Sequence, residues 1–176
     1  MSIREWMNNN STMVTIGAVV ILALALMFLW LQTRPTSPGG DAYFFDTATE
    51  TFFLGPSVAF APVTPPGSSE LTGVSARLYA CGECPTPSQI RGKTVEELEA
   101  LGVTYVYFER YPESALPFLH GERDLPENAP DPIESLQVRR PGDTEWVREF
   151  SRQGQAIAMG AEACPDGSRA KYCFPR

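Results

Sequence analysis

The stretch Val103-Thr-Tyr-Val-Tyr-Phe-Glu-Arg-Tyr111 is the strongest β-strand signal in the chain. It is rich in β-branched and aromatic residues, the types most enriched in strands. Upstream, residues 71–80 alternate apolar and polar side chains, with Val74, Ala76 and Leu78 on one side. That period of two indicates another strand with one buried face. We therefore expect a β-sheet to organise the fold.

Shorter patterns add a hairpin and helices to this sheet. Aromatic-rich runs flank the polar segment Asp46-Thr-Ala-Thr-Glu50, which predicts a β-hairpin with a polar turn. Thr94-Val-Glu-Glu97 has the residues of a capping box and predicts a short helix that begins there. Asp143 is placed to cap a further helix beginning at Thr144. The order of elements predicts an α+β domain with a mostly antiparallel sheet and two or three short helices.

An uncharged apolar run of 19 residues, 13–31, precedes this domain. As a helix it would span roughly 28 Å, close to the hydrocarbon thickness of a bilayer. The run therefore predicts one transmembrane helix that uses the lipid bilayer as its partner. The resulting organisation is a cytoplasmic flank at 1–12, the helix at 13–31, a Pro/Gly linker at 32–40 and a soluble domain at 41–176.

The short flank is easily retained in the cytoplasm, so the domain that follows the helix is expected to be exported. A cleaved signal peptide is the main alternative for the apolar run. It is less favoured because Arg4 is the only basic residue ahead of the run, and no small-x-small cleavage pattern follows it. A buried core helix is the other alternative, but the run is too long and too uniformly apolar for that.

Charge and composition limit the classes of function. The formal net charge is −7, which argues against binding to nucleic acid. The chain has 16 prolines, which is typical of a loop-rich domain rather than a helical bundle. The single histidine, His120, has no evident catalytic partner in the sequence, so we expect no enzymatic activity.

The four cysteines are the one group of residues whose pattern suggests a chemical role. Cys81 and Cys84 make a C-x-x-C motif, and Cys164 and Cys173 bound a segment predicted to be a loop. Structural disulfides are the favoured interpretation for an exported domain, with three connectivities open. A zinc site using all four cysteines is an alternative, although its second half lacks the usual ligand spacing. Thiol–disulfide exchange at the C-x-x-C motif is the other alternative.

The aromatic residues of the hairpin can be interpreted in two ways. Tyr43, Phe45 and Phe52 are candidates for a binding interface, because so small a domain has difficulty burying both faces of an aromatic ribbon. The other reading places them in the hydrophobic core.

Several segments together carry a resemblance to a known group of proteins. The segments are Arg4-Glu-Trp-Met-Asn-Asn-Asn-Ser11, Ala42-Tyr-Phe-Phe-Asp46, Tyr79-Ala-Cys-Gly-Glu-Cys84, Arg139-Arg-Pro-Gly-Asp-Thr-Glu-Trp146, and the ending Cys164-Pro-Asp-Gly with Cys173-Phe-Pro. The chain resembles short single-pass bacterial envelope proteins to which no reaction is tied. The resemblance implies an inner-membrane location with a periplasmic C-terminal domain.

The sequence thus predicts a non-catalytic accessory or interaction subunit of a larger envelope or membrane complex, with other membrane or envelope proteins as partners. The alternative function is a zinc-binding or thiol-redox protein that uses Cys81 and Cys84.

Overall fold

The computed structural model describes residues 11–32, 40–127, 129–160, 164 and 166–175. The chain divides into two units, 1–36 and 37–176. The first unit contains helix α1, Ser11–Gln32. The second contains a seven-stranded antiparallel sheet and several short helices.

The membrane predictions are contradicted in the first unit. Within α1, side chains are described at Ile16 and at 19–28, and all of them are exposed. In the part of the chain that the structure describes, no helix combines the length and the apolarity needed to cross a membrane. The prediction of a membrane-spanning helix over 13–31 is therefore wrong, and so is the single-pass inner-membrane location.

The second unit begins with the predicted hairpin, and its elements follow in chain order. They are β1 Asp41–Asp46, β2 Thr51–Pro56, β3 Gly73–Ala80, α2 Pro87–Ile90, α3 Val95–Ala100, β4 Val103–Arg110, α4 Leu116–Leu119, a 3-10 turn Pro132–Ser135, β5 Gln137–Arg139, β6 Val147–Arg148, α5 Arg152–Ala158 and β7 Lys171–Cys173. The strand order is β2-β1-β3-β4-β5-β6, and β7 pairs with the end of β3. The fold-class prediction is thus corrected to an antiparallel sheet domain with a few short helices, and no helix among the described residues is long and apolar enough to span a membrane.

One face of the sheet packs a large aromatic and aliphatic core. Strand β3 contributes its alternating apolar residues, and Leu78 is fully buried among them. Phe108 of β4 stacks on Phe45 with ring centroids 4.5 Å apart. Helices α2 and α3 cover this face and contribute Ile90 and Leu98 to the same cluster. The residues that alternate inward along neighbouring strands therefore form one continuous core.

The opposite face is covered only in part. Helix α5 packs Ile157 against Tyr107 and Val138, which form a smaller buried cluster. Ser151 caps this helix through a hydrogen bond from the Gly154 amide to its hydroxyl. Gly154 leaves no space for a side chain, because a Cβ there would collide with the Arg148 carbonyl oxygen. The glycine is thus required for close approach of the helix to the backbone after β6.

Asp46 organises the hairpin turn from a buried position. Its carboxylate accepts hydrogen bonds from the Thr72 hydroxyl at 2.6 Å, the Thr49 hydroxyl at 2.8 Å and the Ala48 amide at 3.0 Å. Burial alone would raise the pKa of this carboxyl, but the three donors outweigh burial and hold the pKa below its ordinary value. The carboxylate is therefore stabilised in its charged form.

Asp46→Asn is expected to lower the free energy of unfolding by about 1.5–3 kcal/mol near neutral pH, the range for hydrogen bonds to a charged group. Because the pKa of Asp46 is lower in the folded state, the stabilisation is complete above the unfolded-state pKa and is lost as pH falls through the folded-state pKa. Urea unfolding of both proteins at about pH 7 and about pH 3 measures the difference. A gap that stays constant or widens in acid would contradict this assignment.

Candidate interaction face

All four cysteines are paired in two disulfides. Cys81 is bonded to Cys164 and Cys84 to Cys173, with Cα–Cα distances of 5.6 and 5.4 Å. The predicted disulfides are therefore present, and each cysteine of the C-x-x-C motif is bonded to a distant partner. A zinc site or thiol exchange at these residues would require the reduced protein, because a disulfide sulfur has no thiolate. Among the described residues, no group of three or more His, Cys, Asp or Glu side chains is placed to hold a metal ion.

The two disulfides attach the C-terminal segment to the end of β3. Cys173 lies in β7, which pairs with β3 through Leu78, Tyr79 and Ala80. The cysteines at 81 and 84 directly follow β3. The covalent bonds therefore hold β7 in the sheet, although three residues form too short a strand to be stable alone.

The aromatic residues proposed as an interface lie in the core. Tyr43, Phe45 and Phe52 are only 2, 7 and 1% exposed. Burial raises the pKa of Tyr43 to about 12, and its hydroxyl has no hydrogen-bond partner among the described residues. A partner that binds this domain must therefore contact other side chains.

A row of tyrosines crosses the opposite face of the sheet instead. Tyr172 of β7 pairs with Tyr79 of β3, which in turn pairs with Tyr105 of β4, so the three side chains share one register position. The ring centroid of Tyr79 lies 5.4 Å from that of Tyr172 and 6.4 Å from that of Tyr105. All three are half-buried, and Phe174, 6.1 Å from Tyr172, is 49% exposed. We call Tyr79, Tyr105, Tyr172 and Phe174 the tyrosine face.

Hydrogen bonds fix two of these phenols. The Tyr105 hydroxyl donates to the Ile157 carbonyl oxygen at 2.6 Å and accepts from Arg140 Nε at 3.2 Å. Arg77 Nη1 donates to the Tyr172 hydroxyl at 2.9 Å, and its Nε forms an ion pair of 2.9 Å with Glu109. The rings are thus held in place by the sheet and by α5.

Tyr107 lies beside this face but is buried under α5. Burial raises its pKa, and the negative charge of Glu109 raises it further. The phenol therefore stays neutral at physiological pH. His120 lies elsewhere, on an exposed turn where its Nδ1 is 3.8 Å from Glu122.

The tyrosine face left only a partial signal in the sequence. Tyr79 occupies the polar phase of the β3 alternation, so its outward orientation could have been read from the sequence. Tyr172 falls in the segment predicted to be a loop, and nothing local indicated that it would join the sheet. Comparison with known proteins adds no further residues: no family model matches the chain, and neither a curated protein nor a solved structure matches it.

Proposed function

We propose that the domain is a non-catalytic interaction module, an accessory subunit that binds a larger protein assembly through the tyrosine face. The observation that carries this proposal is the in-register row Tyr172, Tyr79 and Tyr105, which places three partly buried aromatic rings side by side, next to the exposed ring of Phe174. Tyrosine and arginine are enriched among the residues that dominate binding energy at protein interfaces. Arg140 borders this row.

The side chains of the tyrosine face are preorganised for docking. A tyrosine offers a large apolar ring and a polar hydroxyl while having only two side-chain torsions to immobilise. The contacts of Tyr105 with Ile157 and of Tyr172 with Arg77 already restrict those torsions before a partner binds. A partner would therefore lose less of its binding energy to ordering these side chains.

Phe174→Glu is expected to remove the protein from its native complex. Phe174 is exposed at the edge of the face, so the substitution places a charge in the proposed contact without opening the core. A charge that the partner buries without an opposite charge costs about 2 kcal/mol or more, or at least thirtyfold in affinity. The measurement is the size of the tagged full-length protein extracted from its source cells, with the co-purifying chains identified and quantified.

Phe150→Glu is the matched control, because Phe150 is 61% exposed and belongs to neither cluster of the core nor the tyrosine face. We expect a stoichiometric complex for the wild type and this control, and a free subunit for Phe174→Glu. A wild-type protein that is alone, or a complex that both variants retain, would refute the proposed function.

A further inference from the structure

An open pocket lies on the core side of the sheet, where β4 ends and β5 begins. Its volume is about 600 Å³, within the range of small-molecule sites. Its walls include Thr72, Tyr111 and Gln137, which supply hydroxyl and amide groups. Arg110 and Arg139 also line it, together with Trp146. We call Arg110, Arg139 and Trp146 the arginine pocket.

The two arginines are held on one indole ring. The Cζ atoms of Arg110 and Arg139 lie 4.3 and 4.6 Å from the centroid of the Trp146 ring. The strand register explains this arrangement: Arg139 pairs with Phe108, so Arg110 is its diagonal neighbour on the same face. Two positive groups are therefore held against the same indole ring at the edge of the core.

Neither arginine has an acidic partner among the described residues. Arg110 Nε donates to the Gln137 side-chain oxygen at 3.1 Å, and Arg139 Nη1 donates to the Asp143 backbone oxygen at 3.2 Å. Arg139 Nε is buried without a hydrogen-bond partner. No ion pair between described residues includes either side chain. Each guanidinium group has five N–H donors, so most of their hydrogen-bonding capacity stays available to a ligand.

The charge arrangement is unfavourable without an anion. Burial lowers the pKa of Arg110, and the positive charge of Arg139 lowers it further, while Glu113 on the pocket wall acts in the opposite direction. Burial likewise lowers the pKa of Arg139, against the opposing effect of Asp143. Neither Glu113 nor Asp143 forms an ion pair with these arginines, so both acidic groups act on them only from a distance. The arrangement therefore favours an external negative group.

We propose that the arginine pocket binds an oxyanion, the carboxylate or phosphate group of a small organic ligand, at the guanidinium groups of Arg110 and Arg139. The planar guanidinium group donates two parallel hydrogen bonds to either oxyanion. The indole of Trp146 holds both guanidinium groups in position and offers an apolar surface to the remainder of the ligand. This site is separate from the tyrosine face, which lies on the opposite side of the sheet. Ligand binding here and protein docking there are therefore tested independently.

The test is a titration of the ¹⁵N-labelled full chain, following the indole N–H signal of Trp146, which is assigned by its loss in Trp146→Phe. The probes are succinate and inorganic phosphate, each compared with sodium chloride at equal ionic strength. We expect a saturable shift with a Kd of about 1 mM or tighter for at least one probe. Saturation by succinate alone identifies a carboxylate ligand, by phosphate alone a phosphate ligand, and by both a general oxyanion site.

Arg139→Gln is expected to weaken this binding about tenfold or more, because it removes a guanidinium group that donates two charge-assisted hydrogen bonds to the oxyanion. Arg139→Lys keeps the positive charge but lacks the paired N–H donors of a guanidinium group, so we expect an intermediate loss of affinity. Arg91→Gln is the charge-matched control, because Arg91 is exposed and outside the pocket. Wild-type shifts that do not saturate or that chloride reproduces would overturn the proposal, as would an equal loss in Arg91→Gln.

Discussion

Replacing Cys84 and Cys173 by alanine is expected to lower the free energy of unfolding by about 4.5 kcal/mol. This disulfide joins residues 89 positions apart, and in the chain-entropy model a loop of that length restricts the unfolded chain by roughly this amount. Cys173 is also 1% exposed within the main core, so its loss removes packing as well. Urea unfolding of the oxidised wild type and of the double variant measures the difference.

Cys81→Ala with Cys164→Ala is the matched comparison. Its sequence separation is 83, so the entropic contribution is nearly the same. Neither cysteine belongs to the main core cluster, and we therefore expect this variant to be the more stable of the two. A loss below about 1 kcal/mol in both variants would mean that the unfolded chain is not restrained by these bonds.

Phe52→Ala is expected to lower the free energy of unfolding by about 3–5 kcal/mol, the usual cost of truncating a buried phenylalanine. Phe52 is 1% exposed, and its ring meets Phe45 edge-on with centroids 5.0 Å apart. The loss follows because the emptied volume lies between the hairpin and β4, where neighbouring rings cannot move in to fill it. Thermal and urea unfolding of the full chain measure it.

Phe150→Ala is the control for this substitution. The same atoms are removed from an exposed ring, so we expect a change within about 0.5 kcal/mol. If Phe52→Ala were as stable as this control while losing a partner, the hairpin aromatics would be an interface rather than core.

Local patterns were sufficient to predict most of the sheet. The stretch opening at Val103 forms β4, the alternating segment forms β3, and the polar turn joins β1 to β2. The capping box at Thr94 is also confirmed. These elements were predictable because each has a long, regular pattern or a specific cap. The helix predicted to begin at Thr144 is wrong: β6 forms first, and α5 begins only at Arg152.

The candidate sites were less predictable, because their residues meet through long-range pairing. Tyr172 joins Tyr79 only when β7 enters the sheet, and the disulfide that holds it there links residues far apart in sequence. Arg110 and Arg139 meet Trp146 across three separate segments. The sequence suggested an aromatic interface on the hairpin, where aromatic residues are densest. Those hairpin residues are instead buried in the hydrophobic core.

Site-specific crosslinking shows whether a partner protein contacts the tyrosine face. A photoreactive phenylalanine analogue would replace Phe174 in the full-length protein, and Phe150 in the control, within the source cells. We predict one adduct of defined mass from position 174 and none from position 150. No adduct at position 174, or the same adducts from both positions, would mean that no partner docks on the tyrosine face.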